Sequence, residues 1–192
     1  LSGSLLLGRV RGVDIRTQGS GNAGGTNALR TQGWKFALGV VLIDVGKGAL
    51  AAWLALRFAP TAGALPASSV AYLAVLAAAV GHVWPIWHGF RGGKGVGTLL
   101  GGLLVVWPAA VPWLLLAWLV VLVGTGYVGL ASVIAVACLM PLALINNAEI
   151  PRLLFASIAA LLVIYTHRGN LQRLRAGSEP RFERVRLLRR RT

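Results

Sequence analysis

The chain has 192 residues, of which 56% are hydrophobic and only 12% charged, and its mean hydropathy is +0.72. Soluble domains carry roughly 25% charged residues, so a disordered chain, a coiled coil and an ordinary soluble enzyme are excluded, and a lone cysteine, Cys138, excludes a disulfide scaffold. Nineteen Lys+Arg against five Asp+Glu give a net charge of +14; because the basic residues separate apolar runs, they are read as determinants of topology and anionic-lipid contact, with no nucleic-acid partner.

The apolar runs predict an all-α, polytopic membrane helical bundle of seven spans in a single domain over residues 1–192. The opening Leu1-Ser2-Gly3-Ser4-Leu5-Leu6-Leu7-Gly8 is too short to span and reads as the tail of a first helix truncated at its start. No basic region precedes it and no cleavage motif follows, so it is not a signal peptide. The second span is expected at about 34–59 and the third at about 68–86. Residues 96–124 would make one helix of ~43 Å, too long for a ~30 Å hydrocarbon core, so two short helices are expected, divided near Pro108 and Pro112. The sixth span is expected at about 128–145 and the seventh at about 151–166. No run alternates in polarity as a strand would.

Charge orients the bundle. Alternating spans put residues 9–35, 81–96 and 167–192 on one side, with five, two and nine basic residues, and leave only Arg57 and Arg152 opposite. The positive-inside rule then places the three segments, and the C-terminus, in the cytoplasm. The Arg184–Arg191 run reads as a basic stretch on lipid headgroups.

Each of these segments carries residues with chemical use. The first, Asp14 to Arg30, contains Gly19-Ser20-Gly21-Asn22-Ala23-Gly24-Gly25-Thr26-Asn27. Its glycines let backbone amides close on an anion, and Arg30 adds a planar fork for phosphate oxygens. A plain linker would account for the glycines but has less reason to mix Asn, Ser, Thr and Arg so densely. The second contains Gly92-Gly93-Lys94-Gly95 before an apolar helix, which looks like an anion cradle at a helix start; Gly95 directly after Lys94 departs from a Walker A loop. Trp84, Trp87 and Phe90 read as interface anchors, and His82 reads equally as an ordinary hydrogen-bonded histidine or a functional one. In the third, His167 and Asn170 would share one face of a helix; the imidazole can take a proton near neutral pH, and the amide can both donate and accept. Asp44 and Lys47, three apart inside the second span, suit a structural ion pair or substrate contact. Three scattered histidines with few carboxylates argue against a metal site.

Together these motifs resemble the PlsY family of bacterial membrane glycerol-3-phosphate acyltransferases. The family pattern SGNxGATN is met by Ser20 to Asn27, with Gly25 in place of Ala. GHxxPxxxxFxGGKGVAT is met by Gly81 to Thr98, with Gly97 in place of Ala, and HxxNIxRLxxGxE by His167 to Glu179, with Leu171 in place of Ile. The Asp44–Lys47–Gly48 spacing is also similar, whereas Gly126 stands where the family has an Arg.

The resemblance implies an enzyme of the bacterial inner membrane with its site at the cytoplasmic face. It would transfer a fatty acyl group from acyl phosphate to the 1-hydroxyl of sn-glycerol 3-phosphate, giving lysophosphatidic acid and phosphate at the start of phospholipid synthesis. No cofactor or metal is implied. The partners are acyl phosphate, glycerol 3-phosphate and membrane lipids, and the oligomeric state is left open. By the same resemblance Ser20, Asn27, Arg30, Lys94, His167 and Asn170 bind the substrates and Gly92, Gly93 and Gly95 cradle the acyl phosphate. Ser20, His167 and Asn170 stand at the chemistry, with the proton passing either to His167 or to a substrate phosphate. Because acyl phosphate is already an activated anhydride, positioning and charge stabilisation matter more than a covalent nucleophile. The alternative reading is a membrane transporter of a phosphorylated anion, for which midplane motifs would be expected.

Overall fold

A computed structural model describes residues 2–60 and 65–182. Leu1 and the basic run Arg184–Arg191 lie outside the described residues. Every regular element among those described is helical. The chain forms two compact units, Leu1–Pro108 and Ala109–Thr192.

The first unit is organised around α3, Trp34–Phe58, against which α1 (Gly3–Arg11), α2 (Gly25–Gln32), α4 (Ala67–Val83) and α5 (Val96–Val106) all pack. In lipid, apolar surface gains nothing by meeting apolar surface, so tight helix contact depends on small residues that let backbones approach. That is how α3 meets α5. A methyl at Gly48 would overlap the Thr98 carbonyl, and one at Gly101 would overlap the Val45 carbonyl. The same device seats α1, where a methyl at Gly3 would come within 2.7 Å of the Val40 carbonyl oxygen. At the start of α3, Phe36, Ala37 and Val40 bury with Ile15 and Ala28, which fastens the loop between α1 and α2 to the helix.

In the second unit α6 (Val111–Thr125) packs on α7 (Val128–Ala137), and α9 (Ile150–Thr166) packs on both α7 and α8 (Leu139–Ile145). The expected sixth span is present but interrupted at Cys138. Pro141 explains the break, since it has no amide hydrogen for the Ala137 carbonyl one turn back. Helix α9 gives way at His167 to α10, Arg168–Arg175, with a bend of 57°. After α10 the chain returns to the α6–α7 junction: the Phe182 amide donates to the Gly126 carbonyl at 2.8 Å, and the Arg181 guanidinium lies 4.9 Å from the centre of the Tyr127 ring while its Nε donates to Tyr127 Oη at 2.7 Å.

The expected division of 96–124 is found: α5 stops at Val106, Pro108–Ala110 form a single 3₁₀ turn, and Pro112 sits in the first turn of α6. Four segments are long and apolar enough to cross a membrane, namely Trp34–Phe58, Ala67–His88, Pro108–Thr125 and Val128–Ile145; the bent pair α9–α10 makes a fifth. The expectation of seven goes beyond this. With nine and eleven residues, α1 and α5 reach only ~14 and ~17 Å, about half of the hydrocarbon core. Leu42, Trp53, Trp113, Leu119 and Val120 are all more than half exposed, as lipid-facing side chains of spanning helices would be.

Candidate active site

Within the first unit, the loop carrying Ser20 is built around one buried amide. Asn27, only 2% exposed, donates from Nδ2 toward the carbonyls of Ile15, Gln18 and Asn22 at 2.9–3.0 Å. Its Oδ1 accepts from the Ser20 amide at 2.9 Å. Gly19 passes so close to Asn27 Oδ1, at φ +56°, that a side chain there would be both strained and overlapping. Ser20 and Arg30 are exposed, and Ser20 is held by its own backbone. The Asn27 side chain is thus committed to shaping the loop.

A second clip joins this loop to the glycine–lysine loop. Asp14 caps the 3₁₀ turn Ile15–Thr17 and receives the Arg16 guanidinium through both oxygens, the shortest contact being 2.7 Å. The far side of the same guanidinium donates to the carbonyls of His88 and Arg91 at 2.9 and 3.2 Å. The hydrogen bond from Arg16 holds the Asp14 carboxyl below its ordinary range, against a smaller opposing effect of burial. Arg16 therefore links two motif segments more than seventy residues apart, a task that its position among other topology-setting arginines gave no means of reading.

The glycine–lysine loop is docked on the end of α4. The Gly92 amide donates to the Val83 carbonyl at 3.0 Å and the Gly93 amide to the His82 carbonyl at 3.3 Å. A methyl at Gly92 would overlap the His82 carbonyl, and one at Gly93 would overlap His82 Nε2. The expectation that these two glycines offer their amides to an anion thus meets a different geometry, in which both amides close the loop on α4. Backbone amides without an intrahelical acceptor lie further on. Gly95, at φ +86°, turns the chain into α5, whose first intrahelical bond runs from the Leu99 amide to the Gly95 carbonyl. The amides of Val96, Gly97 and Thr98 accordingly face out of the helix start, beside the half-buried Lys94.

Beneath this loop the Asp44 and Lys47 pair acquires a third member. Lys47 Nζ lies 2.7 Å from Asp44 Oδ1 and is hydrogen-bonded to His82 Nδ1. Asp44 Oδ1 also accepts from the Gly3 amide at 3.0 Å. Asp44 and His82 are 5% and 4% exposed. The i,i+3 spacing revealed the pair, but no local pattern could reveal a histidine 35 residues away.

In the second unit His167 is buried at the α9–α10 bend, and its Nδ1 lies 2.9 Å from the Val163 carbonyl. A carbonyl only accepts, so Nδ1 carries a proton and donates it to Val163. Asn170 lies past the bend, three residues into α10, whose N-cap is His167 and whose first turn is closed by the Leu171 amide donating to the His167 carbonyl at 3.0 Å. Asn170 Nδ2 donates to Glu179 Oε1 at 2.6 Å, and Arg173 Nε donates to Glu179 Oε2 at 2.8 Å. Glu179, the last residue of the third motif, was the signal that could have marked it, since an acid kept beside a basic helix needs a partner. Among the described residues no cluster of His, Cys, Asp or Glu could hold a metal ion.

The family model described as Glycerol-3-phosphate acyltransferase matches residues 1–177. A glycerol-3-phosphate acyltransferase of Clostridioides difficile is 43% identical over 171 residues, covering 89% of this chain and 83% of the relative. One from a Synechococcus strain is 43% identical, covering 92% and 86%. Two crystal structures of PlsY, an integral membrane glycerol 3-phosphate acyltransferase, are similar. The glycerol 3-phosphate form has a TM-score of 0.85 at 34% identity, covering 93% of this chain and 87% of that one. The lysophosphatidic acid form has a TM-score of 0.82 at 33% identity, covering 93% and 86%.

Proposed function

The chain belongs to the glycerol-3-phosphate acyltransferase family, and from that premise we propose that it takes its acyl group from acyl phosphate and works at the cytoplasmic face of a bacterial inner membrane, as one membrane-embedded domain with seven spans. Glycerol-3-phosphate acyl transfer itself follows from the family.

The first unit binds phosphate. Lys94 and the outward amides at the start of α5 supply a cation and neutral donors to one substrate phosphate. Gly92, Gly93 and Gly95 shape that cradle. Arg30 supplies a forked cation, and Ser20 a hydroxyl on a loop that Asn27 holds in shape. Two anionic substrates repel, so separate cations are what a reaction between them requires.

The second unit acts on the attacking hydroxyl. The single observation that carries this role is the Nδ1 contact of His167 with the Val163 carbonyl: with a proton held at Nδ1, Nε2 is the ring nitrogen that takes part in proton transfer. The 1-hydroxyl of glycerol 3-phosphate attacks the acyl carbon, forming the ester C–O bond and yielding its proton to Nε2. The bond from acyl carbon to phosphate oxygen breaks, and phosphate leaves with the electron pair. Asn170, fixed by Glu179, orients the hydroxyl. Ser20 needs no acylated state in this scheme, because the donor is already activated.

The asymmetry of basic residues, sixteen of nineteen on the three motif segments, supports the cytoplasmic orientation. The test is purified protein in detergent with glycerol 3-phosphate and either acyl phosphate or acyl-CoA. Lysophosphatidic acid formed with one phosphate released per turnover from acyl phosphate, and none from acyl-CoA, is expected. Turnover with acyl-CoA alone would overturn the choice of donor.

A further inference from the structure

We infer that the buried Asp44–Lys47–His82 trio is the floor on which the Lys94 loop rests, and that His82 is a positioning residue for phosphate binding. The inference rests on the reading of that loop as a phosphate site.

The loop meets the trio on both sides of Lys94. Before it, Gly93 lies over the His82 ring, close enough that a methyl would overlap Nε2, and the Gly93 amide donates to the carbonyl of the same histidine. After it, a methyl at Gly97 would lie 3.4 Å from Asp44 Cβ. The trio fixes the ring from beneath. Nδ1 of His82 faces both the Lys47 ammonium and, at 3.4 Å, Asp44 Oδ1, so the pair holds that edge of the ring while the Nε2 edge is turned to Gly93. Asp44 holds the ammonium and is itself held by the Gly3 amide.

Stability alone gives a poor reason for this arrangement. Burying an acid, an ammonium and an imidazole among helices is costly, and apolar residues of similar volume usually serve packing as well or better. What apolar packing cannot supply is a ring held in one orientation by a charge on one nitrogen while the other edge carries a loop. The trio transmits the position of α3 to Lys94, and thereby sets where the ammonium of Lys94 meets phosphate.

The experiment is a double-mutant cycle on the full chain in detergent, with KM measured separately for acyl phosphate and for glycerol 3-phosphate. His82→Asn keeps an acceptor for Lys47 but removes the ring. Gly93→Ala adds the methyl that the ring excludes. Each single variant is expected to raise KM for one of the two phosphate substrates about tenfold, and the double variant to be no worse than either alone, because the methyl enters the space the ring leaves. Multiplied effects in the double variant, or an equal fall in kcat with both KM values unchanged, would overturn the inference. The same cycle with His82→Ser is read identically if the Asn variant does not fold. Lys94→Ala is run in parallel: unchanged kinetics there would overturn the phosphate-site reading, whereas its loss of turnover beside a multiplicative cycle would overturn only the role of His82.

Discussion

Asn170 and Glu179 are joined by a 2.6 Å hydrogen bond from the Asn170 amide nitrogen to Oε1, while Arg173 holds Oε2 of the same carboxylate. With its side chain only 6% exposed, this carboxylate fixes which way the Asn170 amide faces, and so which of its atoms would meet the hydroxyl in the proposed reaction. Glu179→Ala is expected to lower kcat about tenfold or more and to destabilise by about 1–3 kcal/mol, as a buried charge-assisted pair requires. Glu179→Gln, which keeps an acceptor for Asn170, should retain more turnover than Glu179→Ala. Equal losses in steady-state assays would separate Asn170 from its proposed orientation.

A complementary prediction concerns Gly129. A methyl there would lie 2.9 Å from Cβ, Cγ and Nδ2 of Asn170. Because the nearest atoms include the rigid Cβ, the asparagine must shift rather than rotate away. If Asn170 orients the hydroxyl as proposed, Gly129→Ala should cost about tenfold in kcat with a small change in melting temperature, since a displacement near 1 Å in such a group has effects of that order or greater. Wild-type turnover would show that the position of Asn170 does not matter.

The Asp14–Arg16 clip makes a prediction about pH. Arg16 depresses the folded-state pKa of the Asp14 carboxyl, so the clip contributes stability above the unfolded carboxylate value of about 4 and loses it as pH falls through the lower folded value. The Asp14 side chain is 40% exposed, so screening by solvent keeps the contribution at or below about 1 kcal/mol. Thermal melts should show wild type above Asp14→Asn at pH 6–7, with the gap closing only in acid below about pH 4. Arg16→Met should also loosen the tie to the His88 and Arg91 carbonyls and reduce turnover severalfold. A gap that widens in acid would contradict the assignment.

How much of this could be read in the chain beforehand follows from the range of each interaction. Helix α3, α4, α6 and α9 were legible because twenty apolar residues in lipid have few alternatives to a helix, and the break before α6 was legible because Pro108 and Pro112 act locally. The break at Cys138 was equally local, set by Pro141, but was hidden inside a run of unbroken hydropathy. The partners of Arg16 at His88 and Arg91 and the Lys47–His82 contact were not legible, because each joins distant segments that charge and spacing do not encode; the contacts of Glu179 with Asn170 and Arg173 are local, and the lone acid of a basic motif is their signal. The Gly92-Gly93-Lys94-Gly95 motif before a helix suggests an anion cradle, whereas the placement of Gly92 and Gly93 reflects how closely the loop approaches the end of α4. Asn27 is expected from the resemblance to bind substrate, whereas its side-chain amide is spent on organising the Ser20 loop.

The most direct test of the account is the rate of inorganic phosphate release from acyl phosphate in the presence of glycerol 3-phosphate, measured for Lys94→Ala and Arg30→Ala with helical content verified by circular dichroism. Removing a cation that meets developing negative charge should cost each variant about a hundredfold or more in kcat/KM. Near-wild-type release by a folded variant would contradict the assignment of that residue to phosphate, and by both variants would contradict the account as a whole.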